Sequence, residues 1–294
     1  MPSLMSRRAF SLALVGAAAA CRSAENEASV DPKAPTTPKP NGTMPVLFLA
    51  HGAPTLALDA EKGAPFAAWG RALPQPRALL VLSAHWTISG PTLGTTTSKQ
   101  LVYDFYGFPE ELYRVRYAAP GAPDAARRVA ELFGSGGLPR DESRGLDHGV
   151  WVPLVHMFPK ADVPVLQLSL PIEESPSALF ELGKRLAPLR REGILIAGSG
   201  NLTHNLRRID PRATHPAPWA EEFDKWCEET LNKADVDALV QFRTRAPAVR
   251  ENHPTDEHFL PLLVAAGAAA GEKARFPVEG FEYGNLSRRS VQLG

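Results

Sequence analysis

Pro45-Val46-Leu47-Phe48-Leu49-Ala50-His51 is a short apolar run that stops on a histidine. A strand that is apolar at every position is buried on both faces, as in a parallel sheet covered by helices. Three further runs have the same character: Ala78–Ala84 (ALLVLSA), Pro164–Leu170 (PVLQLSL) and Ile194–Gly198 (ILIAG). Between and after them lie longer stretches that read as helices, at Asp124–Phe133, Trp151–Phe158, Ser175–Arg191, Trp219–Asn232 and Thr255–Ala270. In the Trp219–Asn232 stretch, Trp219, Phe223, Trp226 and Leu231 fall near one stripe and are expected to face the core. Pro261 sits awkwardly inside the last stretch, since an interior proline removes a backbone hydrogen bond, and a start nearer Leu260 is the other reading. The alternation predicts one α/β domain over 45–294, with a central, mostly parallel sheet flanked by helices and its active site at the carboxyl ends of the strands.

The residues before Pro45 read differently. Ser6-Arg7-Arg8-Ala9-Phe10 leads into an apolar run ending at Ala20, the order of a twin-arginine export signal. The run is shorter than the roughly 20 apolar residues a membrane span needs. Cys21 follows four alanines in the manner of a lipoprotein box, although Ala18 stands where a leucine is usual. The expectation is a signal over 1–21, an exported periplasmic or cell-envelope protein, and a membrane tether if Cys21 is lipidated, which a single acyl chain would make weak. Residues 22–44 are rich in Pro, Ser, Thr, Lys and Glu and read as a disordered linker. The remaining cysteine, Cys227, then has no disulfide partner in the mature chain.

Lys plus Arg and Asp plus Glu are 32 each, so the formal net charge of the 294 residues is zero. A nucleic-acid binder would carry a basic excess or stripe, so the expected partner is a small molecule. The chemistry is carried by histidines. His51 and His85 each close a strand, and His204 follows a third beyond Ser199-Gly200-Asn201. Three imidazoles from three strands then meet at the sheet edge where ligands bind in open α/β folds, which is what a metal site requires. His258, beside Glu257 near a helix start, brings two candidates for a last ligand. His148 lies in the glycine-flanked turn Gly145-Leu146-Asp147-His148-Gly149, as a proton donor or substrate partner on one reading and a helix-capping turn on the other. His156 reads as structural, His253 as a loop residue, and His215 as solvent-facing or at the pocket rim.

With these residues in view, the sequence resembles the class III extradiol ring-cleavage dioxygenases, most closely the DOPA 4,5-dioxygenase branch and its bacterial relatives. The matching stretches are His51-Gly52-Ala53-Pro54, Ser83-Ala84-His85-Trp86, Asp104-Phe105-Tyr106-Gly107-Phe108-Pro109, Gly145-Leu146-Asp147-His148-Gly149, Ser199 through Leu206 (SGNLTHNL) and Pro254-Thr255-Asp256-Glu257-His258. The resemblance implies a metal on His51, His85 and His258, with His204 as a further ligand or as the catalytic acid/base. Fe(II) is the expected catalytic ion, and Zn(II) stays open as the ion carried by purified protein. It also implies a catechol and O2 as reactants, whose proton transfers suit His204 and His148. Trp86, Phe105, Tyr106 and Trp151 are the candidate walls of the substrate pocket. A zinc hydrolase and a Memo-like metal-binding or interaction protein are the alternatives; the identity of the catechol and the oligomeric state stay open.

Overall fold

A computed structural model describes residues 42–294; the expected signal and all but the end of the expected linker lie outside the described residues. Met44 belongs to the fold rather than to a linker. It is fully buried, its N–H donates to Arg190 O at 3.1 Å, and its carbonyl accepts from Arg190 Nε at 2.6 Å.

Six strands form the main sheet: β1 (Val46–Ala50), β2 (Ala78–Ser83), β3 (Val165–Gln167), β4 (Ile194–Gly200), β5 (Ala274–Val278) and β6 (Ser290–Leu293). Their order is β3-β2-β4-β1-β6-β5. The first four run parallel, and β6 and β5 add antiparallel at the β1 side. The parallel strands coincide with the four runs read from sequence. The antiparallel pair lacks that signature, because Ala274–Val278 contains Pro277, is half exposed and occupies the sheet edge, where a missing N–H is tolerated.

Side chains alternate along each parallel strand between two cores. Val46, Phe48, Leu80, Leu82, Ile194 and Ile196 face one core, and Leu47, Leu49, Leu79, Val81, Leu195 and Ala197 the other. The first face is covered by α2 (Pro123–Leu132), α4 (Pro176–Leu186), α5 (Pro218–Asn232) and α6 (Leu260–Ala269). The second is covered by α1 (Ala60–Ala72) and α3 (His148–Met157). Every residue of α6 is buried, so it reads as uniformly apolar rather than amphipathic. It starts at Leu260, which places Pro261 in the first turn, where its missing N–H has no intrahelical partner to lose. On α5, Phe223 and Leu231 reach the core, while Trp219 lies partly exposed under the Arg208 guanidinium.

Two local features aim the chain at the sheet's carboxyl edge. Gly52 takes φ +62°, a left-handed turn that carries the chain away immediately after His51. On β4, a Cβ on Gly198 or Gly200 would strike the backbone carbonyls of Pro261 and His258. Glycine at both positions lets the segment entering α6 lie directly on the strand, fastened by Asn201 N–H donating to His258 O at 3.0 Å.

Candidate active site

Five histidines from separate segments meet at this edge. His51 comes from the end of β1, His85 from just past β2, His148 from the first turn of α3, His204 from beyond β4 and His258 from the approach to α6. The His51 and His85 Nε2 atoms are 3.1 Å apart. The His148 ring centre lies 3.9 Å from that of His85 and 5.3 Å from that of His51, and the His258 centre lies 5.0 and 5.4 Å from them. One ring nitrogen from each of His51, His85 and His148 falls within a 4.8 Å circle.

Four of the rings are backed by an oxygen. His51 Nδ1 is 2.9 Å from Ser199 Oγ, His148 Nδ1 is 2.8 Å from Asp104 Oδ1, and His258 Nδ1 is 3.0 Å from Glu257 Oε1. His85 Nδ1 lies 3.4 Å from Asp104 Oδ2. An oxygen at Nδ1 leaves Nε2 as the free lone pair, the usual arrangement behind a metal-ligating imidazole. His258 Nε2 is buried and has no hydrogen-bond partner among the described residues. A buried polar atom of that kind needs something to meet it. Ligands about 2.1 Å from one ion, at angles near 90–110°, stand about 3.0–3.4 Å apart, and the His51–His85 separation falls in that range. The donor set therefore fits a metal ion.

Burial sets the protonation of the cluster. It pushes the pKa of His51 and His258 well below the ordinary imidazole value, and the charges of neighbouring histidines add to the effect. Burial likewise takes His85 to about 4, with the His148 charge as the next cause, and takes His204 to about 4 against the opposing pull of Glu257. These four imidazoles are thus neutral near pH 7, the form that binds metal. The core residue His253 joins them on stability grounds: burial takes it to about 3. It is the expected loop residue, and it is fully enclosed beside Phe223 and Phe259, with Nε2 2.7 Å from Leu202 O.

A pH dependence follows. In the unfolded chain these histidines titrate near 6.5, so below that pH the unfolded state binds more protons than the folded one. Metal-free protein should keep a constant melting temperature above about pH 6.5 and lose stability steadily as the pH falls toward 4. A flat calorimetric profile across that interval would show that the buried rings accept protons in the folded state.

Residues 45–294 match the family described as the catalytic LigB subunit of aromatic ring-opening dioxygenase. The chain belongs to the LigB family. It is 41% identical to 4,5-DOPA dioxygenase extradiol of Beta vulgaris over 235 residues, 78% of this chain and 87% of the relative. It is 40% identical to the Escherichia coli K12 protein of the same name over 260 residues, 85% and 95% of the two chains. A crystal structure of an uncharacterized E. coli K12 protein superposes with a TM-score of 0.72 at 36% identity, covering 85% of this chain and all of that one. This LigB-family chain is a class III extradiol dioxygenase, an oxidoreductase.

In the LigB-family chain the expected site residues divide. His51, His85 and His258 converge, and His148 joins them as part of the cluster rather than only as a capping turn. His204 stacks on His258, ring centres 3.5 Å apart and planes within 11°. One donor atom from each of His204, Glu257 and His258 nevertheless lies within 4.8 Å of the others, so this trio is a second group able to hold an ion. Among the aromatics, Phe105 packs edge-on against His148 at 5.7 Å, and Trp86 is buried beside the Arg144 guanidinium. The other two expectations are corrected. Trp151 is fully buried, its Nε1–H directed at Val102 O, so it supports Phe105 from within the core. Tyr106 is 90% exposed and walls nothing, because Gly107 at φ +75° turns the loop outward. His156 is structural, its ring against Gly63 and Nε2 2.8 Å from Leu56 O, and His215 is exposed.

Sequence reasoning assigned no role to the polar scaffold. Asp147 is wholly buried and accepts from Ser83 Oγ (2.7 Å), Arg144 Nη2 (2.8 Å) and Gln167 Nε2 (2.8 Å). Arg144 Nη2 also donates to His85 O at 3.0 Å. The network thereby ties β2, β3 and the start of α3 together behind His85. Gly149 is required there, since a Cβ would run into Ser83 Oγ and the His85 ring. The sequence traces of the scaffold were the glycine-flanked Asp147-His148 pair and Ser83 in the stretch Ser83-Ala84-His85-Trp86.

Proposed function

We propose that this dioxygenase opens the ring of a catechol-type aromatic with O2 at a single Fe(II) held by His51, His85 and His258. The observation that carries the reading is the unpartnered, buried Nε2 of His258, on a ring whose centre lies 5.0 and 5.4 Å from those of His85 and His51, whose own Nε2 atoms are 3.1 Å apart. Bound Fe(II) would supply the redox-active centre at which a catecholate and O2 meet. Three neutral imidazoles also suit Zn(II), which is why zinc is an expected occupant of purified protein. His148 and His204 are the proton carriers. His148, with Nδ1 on Asp104, presents Nε2 as a base for a catechol hydroxyl, and His204, on the outer side of His258, returns a proton as the ring opens. Phe105 gives the proton-transfer ring an apolar neighbour that limits water.

Anaerobic reconstitution with Fe(II), then O2 uptake against a catechol panel that includes DOPA, tests the proposal. The expected result is one O2 consumed per ring opened with Fe(II) and none with Zn(II). Hydrolysis of an ester or amide by the zinc form without O2 uptake would instead support a hydrolase.

Export is proposed on the pattern Ser6-Arg7-Arg8-Ala9-Phe10 and the apolar run behind it. Changing Arg7→Lys and Arg8→Lys together should retain the protein in the cytoplasm; unaltered recovery in the periplasmic or envelope fraction would refute a twin-arginine route.

A further inference from the structure

We propose that Asp104 is a positioning residue that sets the tautomers of two site histidines at once. The inference rests on the reading above that His85 is a ligand and His148 a proton carrier. Asp104 lies on the irregular segment between Leu101 and Pro109, pinned by Val102 N–H donating to Leu146 O at 2.8 Å and by Tyr103 Oη donating to Val115 O at 2.6 Å. Its Oδ1 accepts the backbone N–H of His148 at 3.1 Å and faces His148 Nδ1 at 2.8 Å, while Oδ2 faces His85 Nδ1 at 3.4 Å. An ionised carboxylate can only accept hydrogen bonds. The carboxylate thereby fixes the proton on Nδ1 of His148 and, by charge at 3.4 Å, favours it on Nδ1 of His85, which turns both Nε2 lone pairs toward the cluster. One side chain outside the strand framework thus prepares a ligand and a base together.

The geometry makes Asp104→Asn asymmetric. An amide has one acceptor oxygen, and the two donors of His148 hold it at the Oδ1 position. Its NH2 then faces His85 Nδ1, which has to become the acceptor, and the His85 proton moves to Nε2. A proton on Nε2 occupies the lone pair that would meet the metal.

Side-chain 1H–15N correlation spectra of metal-free protein read the tautomers directly, with His85→Gln and His148→Gln spectra for assignment. Wild type should show Nδ1–H on both rings; Asp104→Asn should switch His85 to Nε2–H and leave His148 unchanged. Zn(II) titration of the same samples should weaken about 10–100-fold, the usual effect of losing a partner behind a ligand. Asp104→Glu, which remains acceptor-only, should restore the wild-type tautomers and guards against a misfolded amide variant. Identical tautomers in wild type and Asp104→Asn would overturn the inference whatever metal binds. A switched His85 with unchanged Zn(II) affinity would sustain the positioning role and refute His85 as a ligand.

Discussion

His258→Ala is expected to yield a folded chain that retains no metal after Fe(II) reconstitution and opens its ring substrate on the order of 10³-fold more slowly or worse. A loss of that order is typical when one member of a group acting as a unit is removed. The side chain can be removed without undoing the strand contact, because the bond from Asn201 runs to the His258 backbone carbonyl. Metal analysis beside the melting temperature checks the expectation. Full occupancy in His258→Ala, together with an empty site in His148→Ala, would move the third ligand to His148, whose ring nitrogen already lies within 4.8 Å of those from His51 and His85.

His204→Gln should behave in the opposite manner, keeping its metal while turnover falls about 10²–10⁴-fold, the range associated with loss of a general acid or base. His204 reaches the cluster by stacking on His258, with ring centres 3.5 Å apart. Glutamine preserves much of the side-chain volume and still hydrogen bonds, but has no ring nitrogen that can take up and release a proton. Metal content and single-turnover rate measured on one preparation decide it. An empty site would make His204 a ligand, and full occupancy with an undiminished rate would remove it from the reaction.

Local patterns in the chain determined the parallel core and the edge where chemistry would lie. Each of the four apolar runs is buried on both faces, and a residue directly after such a run has to emerge at a strand's carboxyl end, which placed His51 and His85. Pro261 also marks where α6 begins, because a proline in the first turn has no intrahelical bond to lose. The antiparallel strands were not, since a short edge strand interrupted by Pro277 carries too little periodicity to distinguish it from a loop.

Tertiary structure alone decided which polar groups meet. Asp104 serves a histidine 44 residues away, and His51 is backed by a serine 148 residues away. No local period encodes such pairs. Likewise an aromatic in sequence is equally able to line a pocket or fill a core, and only packing separated the buried Trp151 from the solvent-facing Tyr106. Periodicity reports the face a residue turns toward; the separation of two side chains depends on how helices and loops close over the sheet, as where Gly198 and Gly200 let the His258 segment settle onto β4.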